Sequence, residues 1–223
     1  MPSISQSQQT FESGNKPIRL DAYLPDAPWK LPAVLALYGS GGGVEGMNEP
    51  ASMLAAQGFA VFVLHYFDRT GTTYVADKQT IFRHFPAWGK TVWDAVSHIE
   101  ENPSVDAANI GLLGFSLGAY LALSVASVDP RVKAVVEFFG GFPKEMRLFM
   151  RRLCPVLILH GEADPTVPVQ EAYDLQNLLE KKGMPYEIKV YPGVGHGFDS
   201  VTGRDAAIRS LRFLQKHLAS ATY

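Results

Sequence analysis

This 223-residue sequence has a single cysteine and almost no net charge. Cys154 has no partner with which to form an intramolecular disulfide, which is typical of a protein that stays in a reducing compartment. The formal net charge is -2 and the basic residues form no stripe, so nucleic acid is not expected as a partner. Histidine, cysteine and acidic residues do not recur at metal-ligand spacing, so no metal site is expected.

The sequence also lacks a long apolar run and a secretion signal. No stretch approaches the ~20 apolar residues that cross a bilayer, so no membrane partner is expected. The first residues are polar and rich in serine and glutamine, without the apolar core of a signal peptide. We therefore expect residues 1–10 to form a flexible N-terminal tail and the protein to be cytoplasmic.

Short apolar runs and amphipathic segments alternate along the rest of the chain. The apolar runs, which are typical of strands buried on both faces, lie at residues 33–38, 59–64, 109–113, 132–139 and 155–160. Strands that alternate with helices predict an α/β fold with a mostly parallel central sheet and helices on both faces. Because the composition does not change along the chain and the connections are short, we expect one domain over residues 11–223 without a large cap domain.

Residues 114–118, with the sequence Gly-Phe-Ser-Leu-Gly, carry the strongest functional signal. They follow the apolar run at residues 109–113 and precede a segment rich in helix formers. A G-x-S-x-G motif in that context forms a sharp, strained turn that exposes the serine hydroxyl. We expect Ser116 at the carboxyl end of the sheet, where a helix N-terminus points its N–H groups at the reaction centre.

Three further loops are expected at the same edge, because ligands bind outside the carboxyl ends of parallel strands. These loops contain the glycine-rich segment 39–43, Asp164 and His196. The order serine, acid, histidine along the chain is that of α/β-hydrolases. We therefore predict that Ser116 is a nucleophile, that His196 takes its proton and that Asp164 orients the imidazole.

The expected oxyanion hole consists of two backbone N–H groups. One belongs to Leu117, directly after the serine, and the other, from residues 39–43, is assigned to Ser40. No cofactor is expected, and the glycine-rich segment lacks the Gly-Lys-Ser/Thr of a Walker phosphate loop.

The same residues also allow simpler interpretations. Asp164 precedes Pro165 and could do no more than form a turn. The five histidines other than His196 are expected to be structural, His160 among them. Cys154 is a weak rival nucleophile, because it precedes a strand and so is expected at the opposite edge of the sheet from Ser116.

The chain resembles the dienelactone hydrolase family of the α/β-hydrolase superfamily. The resemblance rests on residues 114–118, on His-Gly-Glu-Ala-Asp-Pro-Thr-Val-Pro at 160–168 and on Tyr-Pro-Gly-Val-Gly-His-Gly-Phe at 191–198. It implies the hydrolysis of a small ester or lactone. Enzymes of the family that open dienelactone itself use a cysteine where this chain has Ser116. They also place a glutamate beside the oxyanion loop, where this chain has residues 39–41, so a general esterase is the expected activity.

The expected function is thus a serine hydrolase of small carboxylic esters or lactones that forms an acyl-enzyme. The alternatives are a peptidase or acyltransferase of the prolyl oligopeptidase-like branch, and a non-catalytic binding protein with the same fold. A small, open cleft lined by Tyr38, Phe67, Phe115 and Phe142 is expected, which favours short acyl groups. The natural substrate and the oligomeric state do not follow from the sequence.

Overall fold

The computed structural model describes residues 3–148, 150 and 152–218. The strands are β1 (Ile4–Ser13), β2 (Lys16–Pro25), β3 (Leu31–Leu37), β4 (Ala60–Leu64), β5 (Val105–Phe115), β6 (Val132–Phe138), β7 (Val156–Gly161) and β8 (Tyr186–Tyr191). The α-helices are α1 (Asn48–Ala55), α2 (Lys78–Glu100), α3 (Leu117–Ala126), α4 (Gln170–Lys181) and α5 (Ser200–Leu218). Among these helices none is both long enough and apolar enough to cross a membrane.

The strands form one eight-stranded sheet in the order β1-β2-β4-β3-β5-β6-β7-β8. Parallel pairing joins β4 to β3, β3 to β5, and then β5 through β6 and β7 to β8. β2 pairs antiparallel with both β1 and β4. The sheet is therefore mostly parallel, as the alternation of strands and helices predicted, and an antiparallel ribbon extends one edge.

The helices cover both faces of this sheet. Side chains of α2, α3 and α4, such as Trp88, Leu121 and Leu175, belong to one buried apolar cluster. Side chains of α1 and α5, such as Ala55 and Phe213, belong to a second cluster on the other face. Strand β4 is buried along its whole length and β3 along nearly all of it, which explains why both read as continuous apolar runs.

The N-terminal segment is not the flexible tail that its composition suggested. From Ile4 onward it forms β1, which pairs with β2 from Ile4 opposite Pro25 to Ser13 opposite Lys16. Most β1 side chains are exposed and polar because β1 is an edge strand, so no apolar alternation marks it in the sequence. Backbone pairing therefore holds this segment in the domain; residues 1 and 2 lie outside the described part of the chain.

Helix α2 begins at Lys78 and runs to Glu100. The Asp77 side chain caps it by accepting a hydrogen bond from the Thr80 N–H at 2.7 Å. The first two turns present apolar residues to a surface cavity, where Phe82 is 75% exposed, while Ile81 and Phe85 are partly buried and also contact the core. The fully buried side chains of α2 start only at Trp88.

Candidate active site

Ser116 lies between β5 and α3 in a strained turn. Its φ of 54° and ψ of -117° fall outside the main allowed regions, at a cost of about 1–3 kcal/mol. A Cβ atom on Gly114 would lie 2.4 Å from the Gly118 carbonyl oxygen, and one on Gly118 would lie 2.3 Å from the Leu37 carbonyl oxygen. The two glycines of the motif are thus required so that the turn can pack against α3 and β3.

Ser116, His196 and Asp164 form a continuous hydrogen-bonded chain. Ser116 Oγ lies 3.0 Å from His196 Nε2, and His196 Nδ1 lies 2.7 Å from Asp164 Oδ2. A carboxylate only accepts hydrogen bonds, so Nδ1 donates to Asp164 and Nε2 is left to accept from the serine hydroxyl. The Asp164 side chain is fully buried, whereas that of His196 is 19% exposed. The arrangement can move a proton from the hydroxyl to the imidazole.

The Asp164 carboxylate is held in one orientation by its own loop. Its Oδ1 atom accepts hydrogen bonds from the Thr166 N–H at 2.8 Å and the Val167 N–H at 2.9 Å. This leaves Oδ2 directed at His196. Asp164 thus forms the turn given as its simpler interpretation, and this turn itself directs the second oxygen at the imidazole.

The His196 loop lies close to the end of β7. A Cβ atom on Gly161 would lie 2.3 Å from the Val194 carbonyl oxygen, so only glycine allows this approach. The Ala163 N–H donates to the same Val194 oxygen at 2.9 Å, which ties the loop of Asp164 to that of His196. The ring of Phe139, which has a φ of 53°, lies 5.5 Å from the imidazole. Together these contacts restrict where the imidazole can lie.

The two residues expected in the oxyanion hole lie beside Ser116. Ser40, Ser116 and Leu117 line the same cavity, and a Cβ atom on Gly39 would lie 3.2 Å from Ser116 Cβ. In the described ranges, the N–H groups of Ser40 and Leu117 donate to no other backbone or side-chain acceptor. Both N–H groups are therefore free to receive a developing negative charge at this point.

His160 lies closer to the candidate site than sequence reasoning indicated. Its side chain is fully buried, and its Nε2 atom donates to the Val167 carbonyl oxygen at 2.9 Å and lies 3.5 Å from Asp164 Oδ2. Burial lowers the pKa of His160, so it stays neutral. It supports the Asp164 loop, in agreement with the structural role expected of it.

Glu137 is a buried acid that sequence reasoning passed over. It lies on β6 with no exposed surface; its Oε2 accepts from the Gly140 N–H at 2.9 Å, and its Oε1 has no hydrogen-bond partner among the described residues. Burial raises the pKa of Glu137 to about 8. The sequence contained a signal for this buried acid, because Glu137 is the only charged residue in the second half of the apolar run at residues 132–139.

Cys154 is far less suited to nucleophilic chemistry than Ser116. It precedes β7 and so lies at the amino end of the sheet, and burial raises the pKa of its thiol to about 12. Within the part of the chain that the structure describes, no cluster of three histidine, cysteine or acidic side chains could hold a metal ion.

A cavity of about 900 Å³ opens at Ser116. On α2 its lining residues recur at helical spacing and include Ile81, Phe82, Phe85, Pro86, Gly89 and Trp93. On and just after α3 they are Leu117, Tyr120, Ser124, Val125 and Val128. Residues 142–146 and 166–168 complete the cavity on the side of α4.

This cavity differs from the small cleft expected from the sequence. Of the four aromatic residues proposed to line it, only Phe142 does so. Tyr38 and Phe67 are buried and pack against each other, with ring centroids 5.4 Å apart, and Phe115 packs against His196. Much of the cavity is lined instead by side chains along α2 and α3, and it extends from Leu117 as far as Val128 on the α3 side, which is longer than a short acyl group requires.

Comparison with known proteins gives a consistent family match. The chain matches the model of the dienelactone hydrolase family over residues 19–213. Acyl-coenzyme A thioesterase 1 of Rattus norvegicus is 32% identical over 123 residues, which cover 55% of this chain and 27% of the thioesterase. The matched segment thus spans about a quarter of that curated relative.

Solved structures share the fold over nearly the whole chain. A dienelactone hydrolase-like promiscuous phosphotriesterase from metagenomic libraries has a TM-score of 0.86 at 18% identity, covering 97% of this chain and 100% of that one. An esterase of Pyrobaculum calidifontis has a TM-score of 0.77 at 23% identity, covering 96% and 86% of the two chains. At these identities the likeness concerns the fold alone.

Proposed function

Because this chain belongs to the dienelactone hydrolase family, we propose that it is a serine hydrolase that cleaves carboxylic esters through an acyl-enzyme. The observation that carries the proposal is the contact chain from Ser116 through His196 to Asp164, at 3.0 Å and 2.7 Å. A serine hydroxyl is a poor nucleophile unless a base removes its proton, and a base is useful only within hydrogen-bond reach.

In the first half-reaction, Ser116 Oγ attacks the ester carbonyl carbon while His196 Nε2 takes the hydroxyl proton. The carbonyl oxygen becomes negatively charged and accepts hydrogen bonds from the N–H groups of Leu117 and Ser40. One such donor is worth about 3 kcal/mol in the transition state. The bond from carbon to the leaving oxygen then breaks, the alcohol departs with the proton held by His196, and the acyl group stays on Ser116.

In the second half-reaction, a water molecule takes the place of the alcohol. His196 removes a proton from this water, and the hydroxide attacks the acyl carbon. The bond to Ser116 Oγ breaks and His196 returns the proton to the serine, which releases the acid. Asp164 accepts the Nδ1–H throughout, which holds this tautomer and stabilises the imidazolium that forms in each half-reaction.

Carboxylic esters and lactones are the proposed substrates, because their carbonyl reaches Ser116 directly and the chemistry requires no cofactor. The lone cysteine supports a reducing, cytoplasmic location. Thioesters are a second candidate class. The identity to acyl-coenzyme A thioesterase 1 favours them, and the thiolate that leaves from a thioester is a better leaving group than an alkoxide.

The test is a pair of measurements on purified protein. The first measurement compares the rates at which wild type hydrolyses p-nitrophenyl acetate, an ester, and acetyl-coenzyme A, a thioester, and so ranks the two substrate classes. In the second, a fluorophosphonate probe should label Ser116. Ser116→Ala should lose the label and retain less than about a tenth of the wild-type kcat. A folded Ser116→Ala variant with kcat above that level would exclude Ser116 as the nucleophile.

A further inference from the structure

A groove of mostly apolar side chains leads away from Ser116 along α3. The α3 residues Leu117, Ser124 and Val125 are nearly buried and form its base. The facing side of α2 forms one wall, where lining residues recur every three or four positions. The groove is continuous with the position of the candidate nucleophile, so a substrate bound at Ser116 can extend into it.

The groove is long relative to a short acyl group. Its lining residues on the α3 side run from Leu117 to Val128, which corresponds to about 16 Å at the 1.5 Å rise of a helix. A linear hydrocarbon advances about 1.25 Å per carbon, given a carbon–carbon bond of about 1.5 Å. The groove therefore matches a chain of about twelve to thirteen carbons.

Two features suit the groove to a flexible hydrocarbon. Its far half contains the small residues Gly89 and Ser124, and a Cβ atom on Gly89 would meet no other atom within 4 Å. Large apolar side chains at its edges are open to solvent: Phe82 is 75%, Val128 68% and Trp93 41% exposed. A bound hydrocarbon would cover these surfaces, and such burial favours binding by removing apolar area from water.

The position of His196 indicates which part of the substrate lies in the groove. His196 must protonate the leaving oxygen, so the leaving group has to face the imidazole. The imidazole packs against Phe115 and Phe139, and neither these residues nor His196 line the groove. With the leaving group on the His196 side and the carbonyl oxygen toward Leu117, the acyl chain remains to enter the groove.

We infer that the groove between α2 and α3 binds the linear acyl chain of the ester or thioester, with an optimum near twelve carbons. This inference rests on the proposed function, since it takes Ser116 as the site of reaction. It implies that kcat/KM rises with acyl length rather than falling after butyrate. Each added methylene should increase kcat/KM by about two- to fourfold until the groove is filled.

The experiment measures kcat/KM for p-nitrophenyl esters from acetate to tetradecanoate, below the critical micelle concentration. Wild type should be at least tenfold faster on decanoate than on acetate. Gly89→Trp places a large ring in the groove and should lower the decanoate-to-acetate ratio at least tenfold. Arg83→Trp adds the same side chain to α2 at an exposed position that does not line the groove, and the ratio should stay as in wild type.

A second variant keeps the inference testable if Gly89→Trp does not fold. Phe82→Ser removes an exposed wall of the groove, and it should also lower the ratio. A wild-type maximum at acetate or butyrate, with Ser116-dependent turnover, would overturn the acyl groove and leave the proposed function intact. Equal decanoate-to-acetate ratios of kcat/KM in wild type, Gly89→Trp and Phe82→Ser would also overturn the inference that this groove binds the acyl chain.

Binding measurements separate the groove from the chemistry. If wild type hydrolyses no ester, the proposed function fails, and calorimetric titration with decanoate still reports on the groove. Decanoate should bind wild type and Arg83→Trp equally, and Gly89→Trp at least tenfold more weakly. A failure of decanoate to bind, or equal binding to all three proteins, would contradict the inference.

Discussion

Ser116 Oγ lies 3.0 Å from His196 Nε2, although the two residues are 80 positions apart in the chain. Strands β6 and β7 separate β5 from β8 in the sheet, so the two strands are about 14 Å apart at a spacing of about 4.8 Å. The loop after β8 must therefore reach back across the carboxyl edge. The contact depends on how Gly161 and Asp164 hold that loop, and this dependence can be tested.

The pH dependence of turnover should report the protonation of His196. The imidazole accepts a proton only when neutral, so kcat/KM should fall as the pH is lowered and the imidazole becomes protonated. Burial lowers the pKa of His160 below its ordinary value, so His160 is protonated only at lower pH than an exposed histidine. The measurement is kcat/KM from pH 4.5 to 9 with circular dichroism at each pH; a flat profile from pH 5 to 8 in folded protein would contradict the role of His196.

Asp164→Asn should abolish most activity without unfolding the protein. The side-chain oxygen of asparagine can still accept from the Thr166 and Val167 N–H groups, but its amide cannot accept the His196 Nδ1–H. The imidazole then adopts the wrong tautomer, and we expect kcat to fall by about a thousandfold or more.

The matched control is Asp199→Asn. Asp199 also accepts two backbone N–H groups through one oxygen, at the start of α5, and does not contact the candidate site. Its kcat should remain near that of wild type. Equal activity in the two variants, measured by ester hydrolysis, would argue against the proposed role of Asp164.

Gly118→Ala should destabilise the fold, although alanine is the better helix former. The added Cβ would lie 2.3 Å from the Leu37 carbonyl oxygen and 2.6 Å from that of Tyr38, and these backbone atoms cannot move independently of β3. We expect a loss of about 1–3 kcal/mol in the free energy of unfolding. Gly89→Ala, in the open part of α2, should gain up to about 1 kcal/mol in the same urea titration. A neutral effect of Gly118→Ala would mean that α3 does not approach β3 so closely.

Glu137 should make the protein less stable as the pH rises. The unfolded chain releases its glutamate proton near pH 4.3, whereas burial keeps Glu137 protonated in the fold up to about 8. Between these values the folded state binds the extra proton, so the free energy of unfolding falls with pH by up to about 1.4 kcal/mol per unit. Above the folded pKa this contribution has been lost.

Glu137→Gln resembles the protonated acid at every pH and removes this slope. The variant should therefore gain stability relative to wild type as the pH rises from 5 to 8, measured by urea unfolding at each pH. Glu12→Gln, on the exposed side of the edge strand β1, should leave the slope unchanged. A constant difference between Glu137→Gln and wild type would show that Glu137 ionises at its ordinary pH in the fold.

Several features were predictable because they arise from local chain physics. A fully apolar run of five or six residues is compatible with a strand buried on both faces. Where such strands alternate with helices, a parallel sheet with helices packed on both faces is the arrangement that buries them. Glycines on both sides of Ser116 mark a turn too tight for a Cβ atom. Ser116, Asp164 and His196 follow strands in chain order, and parallel strands bring their carboxyl ends to one edge.

Other features were decided only by contacts between distant segments. β1 is held by pairing with β2 and buries only two of its ten side chains, Phe11 and Ser13, so it leaves little apolar pattern in the sequence. The first turns of α2 line a cavity as well as contacting the core. Cavity length, the burial of Glu137 and the approach of His160 to Asp164 all depend on which elements become neighbours. A residue pattern records how much of each side chain is buried, but the partner that buries it is set by tertiary packing.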